Sequence, residues 1–341
     1  MNRPLISVLI NNHNYGRFLR GAIDSVLQQS YRAVEIIVVD DGSTDRSREI
    51  IRSYGHAVVP VLKANGGQDS AFNAGFARSR GEIICFLDAD DKFVPDKLAK
   101  VVDCLSTQPW AKWCFHSLLL RDIYTGETVG RTRAFPGQTQ DYSTACDFRT
   151  AMRWGRLPFY PMSTSGLCFR RSLLANILPM PETFINTSAD RYIRSVVMAT
   201  APGYFIADDL TIQGIHDSNI CTLRADRPFL LERQLVVAAL LRARVPAVTL
   251  YANRVFARGL CAYYKQKHTK QRNCKIEPEY ELAYERLISD YYKGCSGLDR
   301  FAIALIRAYH SRPQRQEYSF RPVTAPAPSP RRQKVAAGVR S

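Results

Sequence analysis

Val34-Glu35-Ile36-Ile37-Val38-Val39-Asp40-Asp41-Gly42-Ser43-Thr44-Asp45 is the stretch on which the fold turns. Residues 34–39 are almost purely apolar and β-branched, as a parallel strand buried on both faces must be. The run stops at two carboxylates and a Gly-Ser-Thr-Asp turn, and a helix is expected over 45–54. The same unit repeats on either side. Toward the N-terminus, a strand over 5–10 runs into Asn11-Asn12-His13-Asn14, and 15–29 has helical spacing through Phe18, Leu19, Ala22, Ile23, Val26 and Leu27. Toward the C-terminus, strands are expected at 58–62 and 82–87 and helices at 70–79 and 96–105, with Asp88-Ala89-Asp90-Asp91 after the fourth strand. Repeated βα units of this length predict a doubly wound, mostly parallel sheet flanked by helices. Ligands gather at the carboxyl ends of such strands, so the polar clusters 11–14, 40–45 and 88–91 are expected to converge.

Beyond 110 the pattern loosens. Strands are expected at 112–120, 166–169 and 204–207, a loop-rich stretch over 121–160 and a helix over 188–199. From 228 onward the reading is helical: 228–244, 248–267, 279–292 and 298–310. The tail 311–341, rich in Pro, Arg, Ala and Ser, reads as disordered. This divides the chain into an α/β domain over 1–224, a helical C-terminal extension over 225–310 and the tail.

The 341 residues carry 47 Lys and Arg against 31 Asp and Glu, a net charge of +16. Residues 1–130 hold 15 of each sign, whereas residues 225–341 hold 22 basic and 9 acidic side chains. The excess is thus a property of the last third. It comes without a recognition motif or interleaved aromatics, so nucleic acid is not the expected partner. No stretch approaches 18 uncharged apolar residues. The nine cysteines form no C-x-x-C pair and no zinc spacing, and read as reduced, buried thiols of a cytoplasmic protein. Trp110, Trp113 and Trp154 are read as core residues in preference to sugar-stacking platforms.

Neither G-x-G-x-x-G nor G-x-x-x-x-G-K-[ST] occurs, which argues against a dinucleotide or phosphate-loop site. What remains is a buried strand ending in Asp88, Asp90 and Asp91 beside the Asp40–Asp41 pair. Carboxylates so close repel unless a cation lies between them, and hard oxygen donors suit Mg²⁺ or Mn²⁺.

The blocks Ser7–Ile10, 22–31, 35–45, Asn65-Gly66-Gly67, Asn73-Ala74-Gly75, 81–84 and 86–91 stand in an order that resembles the family 2 glycosyltransferases. The resemblance implies a GT-A fold and inverting transfer of a sugar from a nucleotide-diphosphate donor, UDP- or dTDP-linked, to a polysaccharide or glycoconjugate of the cell envelope. It places Asn11 and Asp41 against the donor's base or ribose, and Asp40, paired to Asp41, in the same nucleotide-sugar site. Asp88 and Asp90 match the D-x-D pair that holds the metal, Asp90 as the direct ligand and Asp88 nearer the ribose or a bridging water, with Mn²⁺ or Mg²⁺ as cofactor. Asp190, in Asn186-Thr187-Ser188-Ala189-Asp190, matches the general base, and His216 the late histidine that joins the metal or diphosphate. The family's Tyr-Arg ahead of that histidine is Gln213-Gly214 here, so a phosphate-contacting arginine is missing. Arg170 and Arg171 are left open between a phosphate contact and a solvated basic turn. A sugar nucleotidyltransferase and an inactive binding protein on the same scaffold are the alternatives.

The segment 298–310 sets Leu298, Phe301, Leu305 and Ile306 against Arg300, Arg307 and His310. Such a helix either packs on the α/β domain or lies on an anionic membrane surface, where a lipid-linked acceptor would be found.

Overall fold

The computed structural model describes residues 3–132, 134–135, 142–159, 162–182, 189–217, 219, 231–268, 276 and 278–310. The expected tail therefore lies outside the described residues, as do Cys221 and Cys274. The chain runs β1 (Ile6–Asn12), α1 (Gly16–Leu27), β2 (Val34–Asp41), α2 (Ser47–Ser53), β3 (Val59–Lys63), α3 (Gly67–Arg78), β4 (Ile83–Asp88), β5 (Lys92–Phe93) and α4 (Lys97–Thr107). It continues β6 (Trp113–Asp122), β7 (Thr128–Arg131), β8 (Thr144–Cys146), α5 (Arg149–Arg153), β9 (Leu167–Arg170), α6 (Arg171–Leu174), α7 (Ala189–Thr200) and β10 (Gly203–Ile215). Four helices follow: α8 (Gln234–Arg244), α9 (Thr249–Lys267), α10 (Pro278–Lys293) and α11 (Gly297–His310).

The expected α/β sheet is present, in the order β3-β2-β1-β4-β9-β6-β10-β5. Its parallel part is the run β3-β2-β1-β4. Then β9 inserts antiparallel to both β4 and β6, and β6 pairs parallel with β10. The second half is accordingly mixed, with β5, β7 and β8 as antiparallel edge pieces. β10 extends far past the expected 204–207 because irregularities at Asp208 and Asp209 break its alternation; these carboxylates turn out to Lys100 and Arg131.

Period-two alternation sorts the strand residues between two cores. Val8, Ile10, Ile36, Val38 and Leu87 pack under α1, α2 and α4 through Leu19, Ile23, Ile51 and Leu98. Leu9, Ile37, Val39 and Phe86 face the other way, against Phe72 and Phe76 of α3 and Ile193 and Val197 of α7. A third core joins α8 to α11 through Leu235, Phe256, Tyr284, Tyr291 and Ile303. Leu241 of α8 and Ala252 of α9 belong to the α7-side core, so the helical extension is packed against the sheet domain.

Candidate active site

Parallel pairing of β1 with β2 and β4 puts Asn11 opposite Val39 and Asp88, and Asn12 opposite Asp40. The three polar clusters therefore meet at one end of the sheet. Strand alternation then divides them. Asn11, Asp41 and Asp88 continue the face of Leu9, Val39 and Phe86, which α7 covers; Asn12 and Asp40 continue the opposite face.

Asp40 is wholly buried. Its carboxylate accepts from Asn12 Nδ2 at 3.0 Å, the Ser43 amide at 3.2 Å and Arg48 Nε at 2.7 Å. It clamps the β2–α2 turn onto β1 from the side away from α7. Asp41 accepts from Lys63 Nζ at 2.6 Å and from the Gly66 and Gly67 amides at 2.9 and 2.7 Å, which fixes the loop between β3 and α3. Gly42 is required in this packing: at φ +75° a Cβ there would stand 2.5 Å from the Asn65 amide nitrogen. The neighbouring loop is equally tied, with His13 Nδ1 2.7 Å from the Asp41 carbonyl and the Thr44 amide donating to Asn14 Oδ1 at 2.8 Å. Asn11 is different. Both polar atoms of its side chain are shielded from water and have no hydrogen-bond partner among the described residues, which leaves a donor and an acceptor for a ligand.

Asp88, Asp90 and Asp91 crowd the end of β4. Burial pushes the Asp88 carboxyl well above the usual carboxylate range, and the negative charges of Asp90 and Asp190 push it further, with the Thr164 hydroxyl acting the other way. Asp91 is raised in the same sense by burial, then by Asp90 and Asp88. Its Oδ1 accepts the Gly214 amide at 3.1 Å. His216 Nε2 stands 3.0 Å from Asp90 Oδ2, with the imidazole stacked on Phe18 at 4.3 Å between centroids. Asn219 braces this pair: it accepts the His216 amide at 2.6 Å, and its Nδ2 lies 3.4 Å from Asp90 Oδ2. Gly214 accounts for the missing arginine. A Cβ at this position would fall 2.5 Å from the Asp90 carbonyl oxygen, so β10 approaches the acidic turn too closely for any side chain.

Asp190 opens α7, and its Oδ2 accepts from Arg194 Nη1 at 2.9 Å. Arg194 is buried and also donates to the Met162 carbonyl. The charge of Asp190 raises the Asp88 carboxyl, so the start of α7 lies near the end of β4. As it stands, no group of three or more His, Cys, Asp or Glu side chains among the described residues is drawn together tightly enough to hold a metal ion. The donor set nonetheless fits a hard divalent cation. Mg²⁺-type ions need only one or two protein carboxylates, and a positive charge would relieve the crowding of Asp88, Asp90 and Asp91.

Two supporting residues escaped the sequence reading. Lys97 is fully buried behind the acidic turn, donating to the Ser165 carbonyl at 2.8 Å and Thr211 Oγ1 at 3.2 Å, with Nζ 3.2 Å from the Phe93 ring centroid. Ser165 Oγ in turn accepts the Asp88 amide at 3.0 Å. Its signal was available: Lys97 shares the apolar stripe of α4 with Val101, Cys104 and Leu105. Arg194 was legible as an i,i+4 partner of Asp190.

Arg170 and Arg171 take neither expected role. Arg170 donates to the Leu105 and Ala111 carbonyls, and Arg171 donates to Ser79 Oγ and covers Phe76. Because β9 is antiparallel to β4, Arg170 lies opposite Ile83, at the end of β4 remote from Asp88. Of the three tryptophans only Trp113 is core; Trp110 is 40% and Trp154 75% exposed. The described cysteines are free thiols, and no described helix is long and apolar enough to cross a membrane.

The sequence model of Glycosyl transferase family 2 matches residues 7–111, which span β1 to α4. An uncharacterized glycosyltransferase of Nostoc sp. (strain PCC 7120) is 34% identical over 220 residues, covering 63% of this chain and 66% of that protein. TuaG of Bacillus subtilis, named for teichuronic acid biosynthesis, is 34% identical over 125 residues, 35% of this chain and 50% of its own. The chain thus spans less than two thirds of these relatives. Among solved structures, S. aureus TarS 1–349 in complex with UDP-GlcNAc superposes with a TM-score of 0.61 at 15% identity, covering 89% of this chain and 87% of that one. The mannosyltransferase PcManGT of Pyrobaculum calidifontis, in complex with GDP-Man and Mn²⁺, gives 0.50 at 17% identity over 91% and 88%. The matched segment is the one that carries Asn11, Asp41 and the Asp88–Asp91 turn: over residues 7–111 the chain is similar to glycosyl transferase family 2, and beyond that segment it shares the GT-A fold of the solved structures.

Proposed function

We propose that this chain is a metal-dependent, inverting glycosyltransferase that moves a sugar from a nucleotide-diphosphate donor to a hydroxyl of a cell-envelope glycan or lipid-linked glycan. The observation that carries this reading is the meeting of the Asp88–Asp90–His216 group with Asp190 at the ends of β1 and β4. The donors bound by TarS and PcManGT, and the teichuronic acid role in the name of TuaG, support the two substrate classes.

Base and ribose are assigned to the unpartnered amide of Asn11 and to the remaining acceptor position on Asp41, whose carboxylate offers about four and uses three. Asp40, expected at the donor with Asp41, is instead buried on the opposite face of β2 with its carboxylate taken up by Asn12, Ser43 and Arg48, and acts in this reading as a positioning residue. Asp88, Asp90 and His216 would hold Mn²⁺ or Mg²⁺, which when bound supplies charge neutralisation of the departing diphosphate. Asp190 takes the proton of the acceptor hydroxyl as its oxygen bonds to the anomeric carbon and the bond to the nucleoside diphosphate breaks on the opposite face. Arg194 holds the Asp190 carboxylate in place from within the core.

The test is Asp190→Asn, after a thermal-shift screen of UDP-, dTDP- and GDP-sugars with Mn²⁺ has identified the donor. Transfer is expected to fall by about 10²- to 10⁴-fold, the usual worth of a general base, while donor affinity stays within about twofold. Loss of donor binding together with transfer would assign Asp190 a structural role.

A further inference from the structure

The outer surface of the last helix is apolar. α11 buries Ile303 against its neighbours and turns Leu298, Phe301 and Leu305 to solvent, 83%, 63% and 55% exposed. By the helical period these three share one stripe, and the exposed Ala304 and Ala308 extend it. The stripe carries no charged side chain; Arg300 and Arg307 lie along its edge. It does not end with the helix. Ala302, Leu305 and Ile306 share a notch of about 340 Å³ with Trp154, Gly155, Leu250 and Arg254. Arg254 Nη1 donates to the Gly155 carbonyl at 3.2 Å and so fixes the Trp154 turn beside α9. Trp154 and Leu250 are both exposed, which continues the apolar surface from the helical extension onto the sheet domain.

The rim of this surface is cationic. Arg153 and Arg156 flank Trp154, and neither they nor Arg300 and Arg307 make an ion pair among the described residues. α9 contains no acidic residue at all, and the one acid of α11, Asp299, turns inward to Arg242 at 3.2 Å. Residues 311–341 add seven basic side chains and one acidic one.

We propose that this surface docks on an anionic lipid bilayer, with the α11 stripe, Leu250 and Trp154 entering the interface and the arginines resting among the headgroups. Three features select lipid over a protein partner. The stripe has no polar group that could fix a register. An aromatic side chain with a polar tip stands at its rim, beside arginines that make no ion pair among the described residues, as in helices that lie flat in a membrane surface. The assignment is independent of the catalytic reading, because it predicts binding and not turnover.

The test uses the full chain with vesicles of phosphatidylcholine alone or mixed with phosphatidylglycerol. Co-sedimentation is expected with the anionic vesicles and to weaken with salt. Trp154 emission should shift to the blue on binding, and that shift should vanish in Trp154→Phe. Phe301→Asp is expected to weaken partitioning about tenfold. Leu298→Asp, at a still more exposed position, should do the same should the first variant fail to fold. Three results would each overturn the proposal. One is absence of binding to any vesicle. Another is binding that both aspartate variants leave unchanged, which would assign it to the basic tail. The third is a dimer in light scattering that Phe301→Asp dissociates without any vesicle binding, which would make the face a contact between two copies.

Discussion

The strand ends of the sheet domain and the outer face of the helical extension depart from ordinary protein surfaces in opposite ways. At the strand ends the anomalies are polar. Asn11, Asp91 Oδ2, Ser163 Oγ and Arg194 Nε are shielded from water without a hydrogen-bond partner among the described residues, around carboxylates that raise one another's affinity for protons. In the extension the central buried polar groups are matched, the Tyr263 hydroxyl excepted: Asn253 accepts from Arg242 Nη1 at 2.9 Å and from the Tyr291 hydroxyl at 2.8 Å, and donates to Asp299 at 2.7 Å. There the anomaly is the exposed apolar stripe of α11. Unmet hydrogen-bonding capacity in a cleft calls for a small polar ligand, whereas unmet apolar area calls for a broad surface. On the proposed reading the two regions divide the work of reacting and of docking.

The sharpest way to break that division is Asp90→Ala. It should lower kcat/KM about 10³-fold, as loss of one electrostatic stabiliser of a transition state does, and abolish the stabilisation of the fold by Mn²⁺. Vesicle binding should be untouched. Mn²⁺-dependent stabilisation that survives the substitution would move the metal away from Asp90, toward Asp88 and Asp91.

A subtler probe is Gly214→Ala. The added Cβ would press on the Asp90 carbonyl at 2.5 Å, so the acidic turn must move. A displacement of about 1 Å at a reacting centre costs on the order of 10²-fold in rate. The expected result is a fall in kcat of about 10- to 100-fold, measured by donor turnover, with the chain still folded. Unchanged kcat would mean that the close approach of β10 to the turn has no bearing on the chemistry.

How much of this was legible depended on how local the cause was. The βα units, and the convergence of 11–14, 40–45 and 88–91, follow from periodicity and short turns. The split between Asp40 and Asp41 does not appear at that level. Both residues prove to lie inside β2, where one step along the strand reverses the face, and the expected strand stopped at 39. The antiparallel insertion of β9 was equally out of reach, because it arises from pairing between distant segments; with it went the placement of Arg170. Lys97 was missed for a different reason. Its place on the apolar stripe of α4 was visible, but a lysine in a first helical turn reads as solvated until the tertiary contacts to Ser165 and Thr211 that make its burial tolerable are seen. Trp154 was assigned to the core by residue type alone, though the turn that bears it lies on the surface.

The smallest effect should come from the joint that aligns the docking helix. Burial pushes the Asp299 carboxyl up, but the Ser296 hydroxyl and amide, the Asn253 amide and Arg242 outweigh it and hold the group below its ordinary value. A carboxylate depressed in this way lends stability that is present above its unfolded pKa and is lost as pH falls through the folded one. Asp299→Asn keeps the shape and removes the charge. Near neutrality it should cost about 1 to 3 kcal/mol, the worth of hydrogen bonds to a charged group, and the difference from the parent should shrink as pH drops below the usual carboxylate range. Chemical denaturation followed at pH 7 and at pH 3 measures both values. Because Asp299 sits between Arg242 of α8 and Asn253 of α9, the variant should also loosen α11 from its neighbours. Hydrogen exchange over 297–310 should then rise, with exchange at β1 and β4 unchanged. A rise at both ends of the molecule would show that the extension and the catalytic sheet unfold as one unit, and the division of labour would then rest on a single cooperative structure.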